Sequence, residues 1–211
     1  MKRLTTLCSL LTLLGLWQSG CVELPFEATS DGELAEQDRA DLAWALADLV
    51  YAGSNPADGA ALARYAEGEG EAAPAEEPEA RPFAITHACP EGGVLRLGGE
   101  AVTIEKPDLG TTVTEFGAQA NPDDCGVVVR GQDVALDGDP SIHVDGRLER
   151  NEQGLVGEQR VGLEGAFIWT SGDRAGSCDI ALTARWNATT GARSLSGVFC
   201  GTELHVEASP V

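Results

Sequence analysis

Basic side chains are scarce in this 211-residue chain, where 14 Lys and Arg face 34 Asp and Glu, a net charge of −20. Nucleic acid recognition needs a cationic footprint to release counterions, so this balance excludes it, and anionic lipid headgroups would repel the chain too. Histidines are few and scattered (His87, His143, His205), and no Cys-x-x-Cys pair occurs, which argues against a zinc site. Gly-x-Ser-x-Gly, His-Glu-x-x-His, a P-loop and a Gly-x-Gly-x-x-Gly between strand and helix are all missing. Nothing calls for a cofactor. Long apolar runs are missing as well, with one exception at the N-terminus.

There, Met1-Lys2-Arg3 supplies positive charge, Leu4 to Trp17 an apolar run, and Gln18-Ser19-Gly20-Cys21 follows. The run falls short of the roughly 20 apolar residues that span a bilayer, so it reads as an export signal over residues 1–20. With a cysteine directly after Ser-Gly, this stretch resembles the lipobox of bacterial lipoproteins. The resemblance implies a diacylglyceryl group on the sulfur of Cys21 and cleavage before that residue. Ser19 and Gly20 fill the small positions, and Gln18 stands where the family usually carries Leu. Val22 occupies the position where the family's inner-membrane retention signal is Asp, which implies an outer-membrane destination in a Gram-negative host. Stable anchoring takes at least two acyl chains or an equivalent second signal, which such a lipidated cysteine supplies.

Six cysteines are present. Cys8 leaves with the signal and the lipobox reading assigns Cys21 to lipid, so Cys89, Cys125, Cys178 and Cys200 remain. An even set in an exported chain reads as two disulfides. A hairpin turn centred near Thr189 would set Cys178 directly opposite Cys200, at a Cα spacing a disulfide tolerates. That leaves Cys89 to pair with Cys125.

After a tether over residues 21–30, residues 31–66 read as helical. Ser30 and Glu33 have capping-box spacing. Leu42, Ala45, Leu46, Leu49 and Val50 recur at helical spacing, with Asp38, Asp41 and Asp48 elsewhere on the surface, which predicts one amphipathic helix from Glu33 to Tyr51. Gly53 and Pro56 mark its stop. Residues 67–82 are almost entirely Glu, Ala, Gly and Pro, which have little to bury, so a flexible, disordered acidic linker is expected there.

Residues 83–207 alternate in short runs. Ile142, Val144 and Leu148 oppose His143, Asp145, Arg147 and Glu149; Val161, Leu163, Phe167 and Trp169 form a second face, and Ile180, Leu182, Ala184 and Trp186 a third. Turns are expected at Gly92-Gly93, Gly98-Gly99, 121–124, 137–140, 151–154, 171–173 and 187–191. The fold class is mainly β, an antiparallel meander forming a small barrel or sandwich, preceded by one amphipathic helix and a disordered acidic linker.

The one cluster with a metal-like pattern is Asp133, Asp137 and Asp139, with Ser141 and Asp145 beyond. Asp137-Gly138-Asp139 resembles the middle of a calcium loop, but Ala135 and Val144 occupy ligand positions, so solvated turn carboxylates are the favoured reading. His143 and Asp145 share a strand face as a base and its orienter would, yet no nucleophile is placed beside them. Glu149, Glu152, Glu158 and Glu164 offer carboxylates whose separation the sequence leaves open. The favoured function is a lipid-anchored extracytoplasmic protein with a non-enzymatic binding or envelope-structural β domain. Its contact with the membrane is through lipid, and its protein or small-molecule partner is left open. A lipocalin-like small-ligand carrier is the alternative, and an extracytoplasmic hydrolase ranks third.

Overall fold

The computed structural model describes residues 34–54 and 79–208. Cys21, the signal, the capping-box pair and most of the 67–82 linker lie outside the described residues. One helix, α1 (Glu36–Ser54), precedes ten strands. They are β1 (Arg81–Ala88), β2 (Val94–Lys106), β3 (Thr111–Asp123), β4 (Cys125–Val129), β5 (Gln132–Asn151), β6 (Gly154–Leu155), β7 (Glu158–Ser171), β8 (Arg174–Asn187), β9 (Arg193–Phe199) and β10 (Thr202–Ala208). The sheet is antiparallel and runs β1-β2-β3-β5-β7-β8-β9-β10, with β4 and β6 as short additions beside β5. Consecutive long strands are neighbours, as in a meander. The ends of the path, β1 and β10, are not joined. The sheet is therefore open and sandwich-like.

Period-two alternation decides which side faces inward. Leu95, Leu97, Leu136, Ile142, Val144, Val161, Leu163, Phe167, Trp169, Leu182, Leu195 and Phe199 are all essentially without solvent exposure. The outer face carries cross-strand ion pairs: Arg147 stands directly opposite Glu115, while Arg185–Glu158, Arg160–Asp145 and Arg96–Asp123 are diagonal.

The trough on the inner side is filled by α1. Its sequence is rich in Ala and Leu, free of Pro and of glycine before Gly53, and acidic in its first turn at Glu36 and Asp38, where the helix dipole favours negative charge. The helix touches β1, β2, β4, β7 and β9. Leu42, Ala43, Leu46, Ala47 and Val50 have no exposure, and Trp44 and Leu49 are buried. Gly53 packs closely on the sheet: a Cβ there would stand 3.0 Å from Leu97 Cδ1 and 3.2 Å from Leu95 Cδ2, so those side chains would have to give slightly.

Several expectations are corrected. The helix starts and ends three residues later than 33–51, and it is buried on most sides because the sheet wraps it. Asp38 is fully buried and Asp48 half-buried, not surface residues. The β domain begins at Arg81, so Arg81 and Pro82 belong to β1. Gly98-Gly99 is no turn but lies inside β2, where a Cβ on Gly99 would collide with the β3 backbone at Gly117. Asp137-Gly138-Asp139-Pro140 is likewise within a strand: β5 continues through it for 20 residues, with a register shift against β7 between Gly138 and Ile142. A bulge accommodates the proline, which has no N–H to give to the ladder.

Both disulfides lie in the sheet domain, Cys89 to Cys125 and Cys178 to Cys200. The second is not formed from directly opposed positions. Ile180 pairs with Phe199, and the Cys200 N–H donates to the Asp179 carbonyl, so the hairpin register is one residue off the sequence reading. Cys200 sits just past β9 with φ +47°, and that left-handed corner turns its side chain back to Cys178 at a Cα separation of 4.5 Å.

Candidate functional site

The residues singled out for chemistry nearly all stand on the outer face. Gln119, His143 and Glu164 form one row across β3, β5 and β7, and Gly117, Asp145 and Gly162 the next. The Ser141 hydroxyl donates to Gln119 Oε1 at 2.8 Å. With that oxygen accepting, the Gln119 amide nitrogen is the donor toward His143 Nδ1, 3.3 Å away. Asp145 is directed elsewhere, at 3.6 Å from Arg160 Nη2, lying over Gly162 where a Cβ would meet its carboxylate. His143 and Asp145 therefore share a face without acting on each other. Ser141 is bonded to an amide, not to an imidazole, so no nucleophile–base–carboxylate relay is assembled.

The acidic cluster is dispersed in the same way. Asp133 and Asp139 are exposed, while Asp137 accepts the backbone N–H of Asp124 at 2.8 Å and braces a left-handed corner at φ +49°. Among the described residues, no three His, Cys, Asp or Glu side chains converge as a metal site. Glu158 is held by Arg185, and Glu149 accepts from Thr111 Oγ1 at 3.0 Å. Glu152 sits in the turn after β5 and Glu164 on the outer face beside His143.

A shallow groove of about 510 Å³ crosses this face where Gly98, Gly99 and Gly117 carry no side chains, bordered by Glu100, Glu115 and His143. A second depression of about 360 Å³ lies between Asp145, Gly162, Thr183 and Ser196. Both are open surface features. No family model, curated protein or solved structure matches this chain.

The buried polar chemistry that pattern reading missed lies between α1 and the sheet. Val129 pairs with Gln132 across Arg130-Gly131, whose φ values of +50° and +76° are those of a two-residue hairpin turn with both central residues left-handed. From that turn Arg130 reaches the helix, donating to Gln37 Oε1 at 3.1 Å and Asp38 Oδ1 at 3.2 Å, with Asp41 at 3.8 Å. Farther along α1, Asp48 accepts from Trp186 Nε1 and from Arg193, each at 3.3 Å. Tyr51 stacks on Trp186 at 4.3 Å, Trp44 meets it edge-on, and the Arg193 guanidinium lies 4.6 Å above the Trp44 ring. Burial raises the pKa of Asp48, opposed by Arg193 and the two hydrogen bonds; burial also raises that of Asp41, opposed by Arg130. The two-residue Arg-Gly between valine-rich runs was the available sign of a turn. No local pattern marks a carboxylate that a distant arginine will bury.

Proposed function

We propose that this chain is a membrane-anchored extracytoplasmic lipoprotein whose β domain serves binding or envelope structure and carries no catalytic activity. The observation that carries the reading is the way the domain spends its interior. The trough in which a lipocalin-like carrier would hold a ligand is occupied by the protein's own helix, with Leu42, Leu46 and Val50 completely buried. Recognition is thereby left to outer surfaces. The two disulfides are compatible with an oxidising compartment, and among the described residues no helix is long and apolar enough to cross a membrane. The lipobox-like Ser19-Gly20-Cys21 supports lipid as the tie to the membrane, and Val22 supports the outer membrane of a Gram-negative cell.

Metabolic labelling with a fatty-acid probe, followed by membrane fractionation, tests the anchor. The wild type is expected to take up label and sediment with outer membranes, and Cys21→Ser to lose both. Membrane association of the unlabelled Cys21→Ser protein would overturn the reading.

A further inference from the structure

We infer that the trough is an interface between copies of this chain, able to seat α1 from a second molecule in reciprocal exchange. The helix is fixed in its seat by side chains: apolar packing along its length, Asp38 with Arg130 near its start, and Asp48 with Trp186 and Arg193 farther on. Two polar contacts separated along one helix define its direction and depth, and neither involves the connection to β1. Both disulfides staple sheet to sheet, so neither ties α1 to its own domain.

The connection is also longer than its path demands. A Cβ on Gly53 would lie 3.6 Å from that of His87 near the end of β1, while β1 begins at Arg81. At roughly 3.3 Å per strand residue, the chain must return about 20 Å. Residues 55–80 supply about 26 residues, with a reach of roughly 85–90 Å. That length suffices to reach the trough of an adjacent molecule. Since the contacts are identical in either seat, the balance rests on concentration: tethering gives α1 an effective concentration at its own trough that a second copy must match. Exchange competes as the local concentration of the chain approaches that value.

The test is a charge exchange across the Asp38–Arg130 contact in the chain from residue 21 onward, carrying Cys21→Ser to remove the anchor. Asp38→Arg sets two cations together, and Arg130→Asp sets a carboxylate against Asp38 and Asp41; aspartate tolerates the left-handed turn position. In each variant alone the helix loses its seat in any copy, so chymotrypsin, whose sites at Leu42, Trp44 and Tyr51 neither substitution alters, is expected to cut α1 more than tenfold faster than in the wild type. Mixed at equal micromolar concentration, the two variants restore opposite charges in both troughs only by exchange. A heterodimer of twice the chain mass with wild-type chymotrypsin resistance is expected. One chain bearing both substitutions restores the contact within itself and is expected to stay monomeric, which controls for folding. A mixture that remains two monomers overturns the inference, whether or not the variants keep α1 seated. A chain with residues 57–78 deleted gives a second reading. Its four remaining connecting residues cannot return 20 Å, so it is expected to be dimeric, and a monomer with a protease-sensitive α1 would again overturn it.

Discussion

Arg130 Nη1 lies 3.2 Å from Asp38 Oδ1, joining a hairpin turn to a helix 92 residues away, and the Asp38 side chain is only 1% exposed. A charged pair so placed is sensitive to the loss of one member, because the other stays out of water. Arg130→Ala is expected to lower the unfolding free energy by about 3 kcal/mol. Asp38→Leu with Arg130→Met, which removes both charges and keeps apolar volume, is expected to recover most of that loss. Urea unfolding of the four members of the cycle checks the coupling.

Acidity should act on Asp48 in a definite direction. Its folded-state pKa is raised by burial, so the contribution is fully present below the unfolded value near 3.8 and is lost as pH rises through the folded value. Asp48→Asn keeps an acceptor for Trp186 and removes the buried charge. Its urea midpoint relative to the wild type is expected to improve as pH rises from 3.5 to 7, through the raised folded-state value. Asp41 shifts the same way, so Asp41→Asn should behave similarly and the double variant should flatten the profile further.

The two disulfides close segments with sequence separations of 36 and 22 residues. Chain entropy assigns each about 3–4 kcal/mol, slightly more for the longer. Cys89→Ala with Cys125→Ala, and Cys178→Ala with Cys200→Ala, are each expected to lower stability by that amount in thermal and urea unfolding. The losses should add, since one bridge joins the end of β1 to β4 and the other joins β8 to the end of β9.

Phe116 and Gly146 stand directly opposite each other on β3 and β5, and the aromatic ring covers the glycine so closely that any Cβ there would collide with it. Gly146→Ala is expected to be destabilising by about 1–3 kcal/mol through overpacking. Trimming the ring with Phe116→Leu in the same chain should return part of the loss, and calorimetry of the single and double variants would reveal the compensation.

The inward rows of β5, β7 and β8 were legible from alternation, because a half-buried strand must change character at every residue. Strand continuity was less so. Gly98-Gly99 and Asp137–Pro140 carry turn composition, yet both are absorbed inside long strands as a close backbone approach and a bulge. The Cys178–Cys200 hairpin shows the same limit: one residue of register, decided by a left-handed Cys200, separates facing cysteines from staggered ones. Of the candidate chemistry, the sequence placed His143 and Asp145 on one face but not their partners, Gln119 and Arg160, which arrive from other strands.

What the sequence determined by itself was local: a helix from Ala- and Leu-rich periodicity, strands from alternation, a strongly acidic surface from composition. The tertiary structure alone decided that the sheet stays open and that α1 fills it. That outcome turned Asp38 and Asp48 from surface residues into buried or half-buried partners of Arg130, Arg193 and Trp186. Burial depends on elements that lie about a hundred residues apart, and a helical repeat of 3.6 residues carries no record of what will surround it.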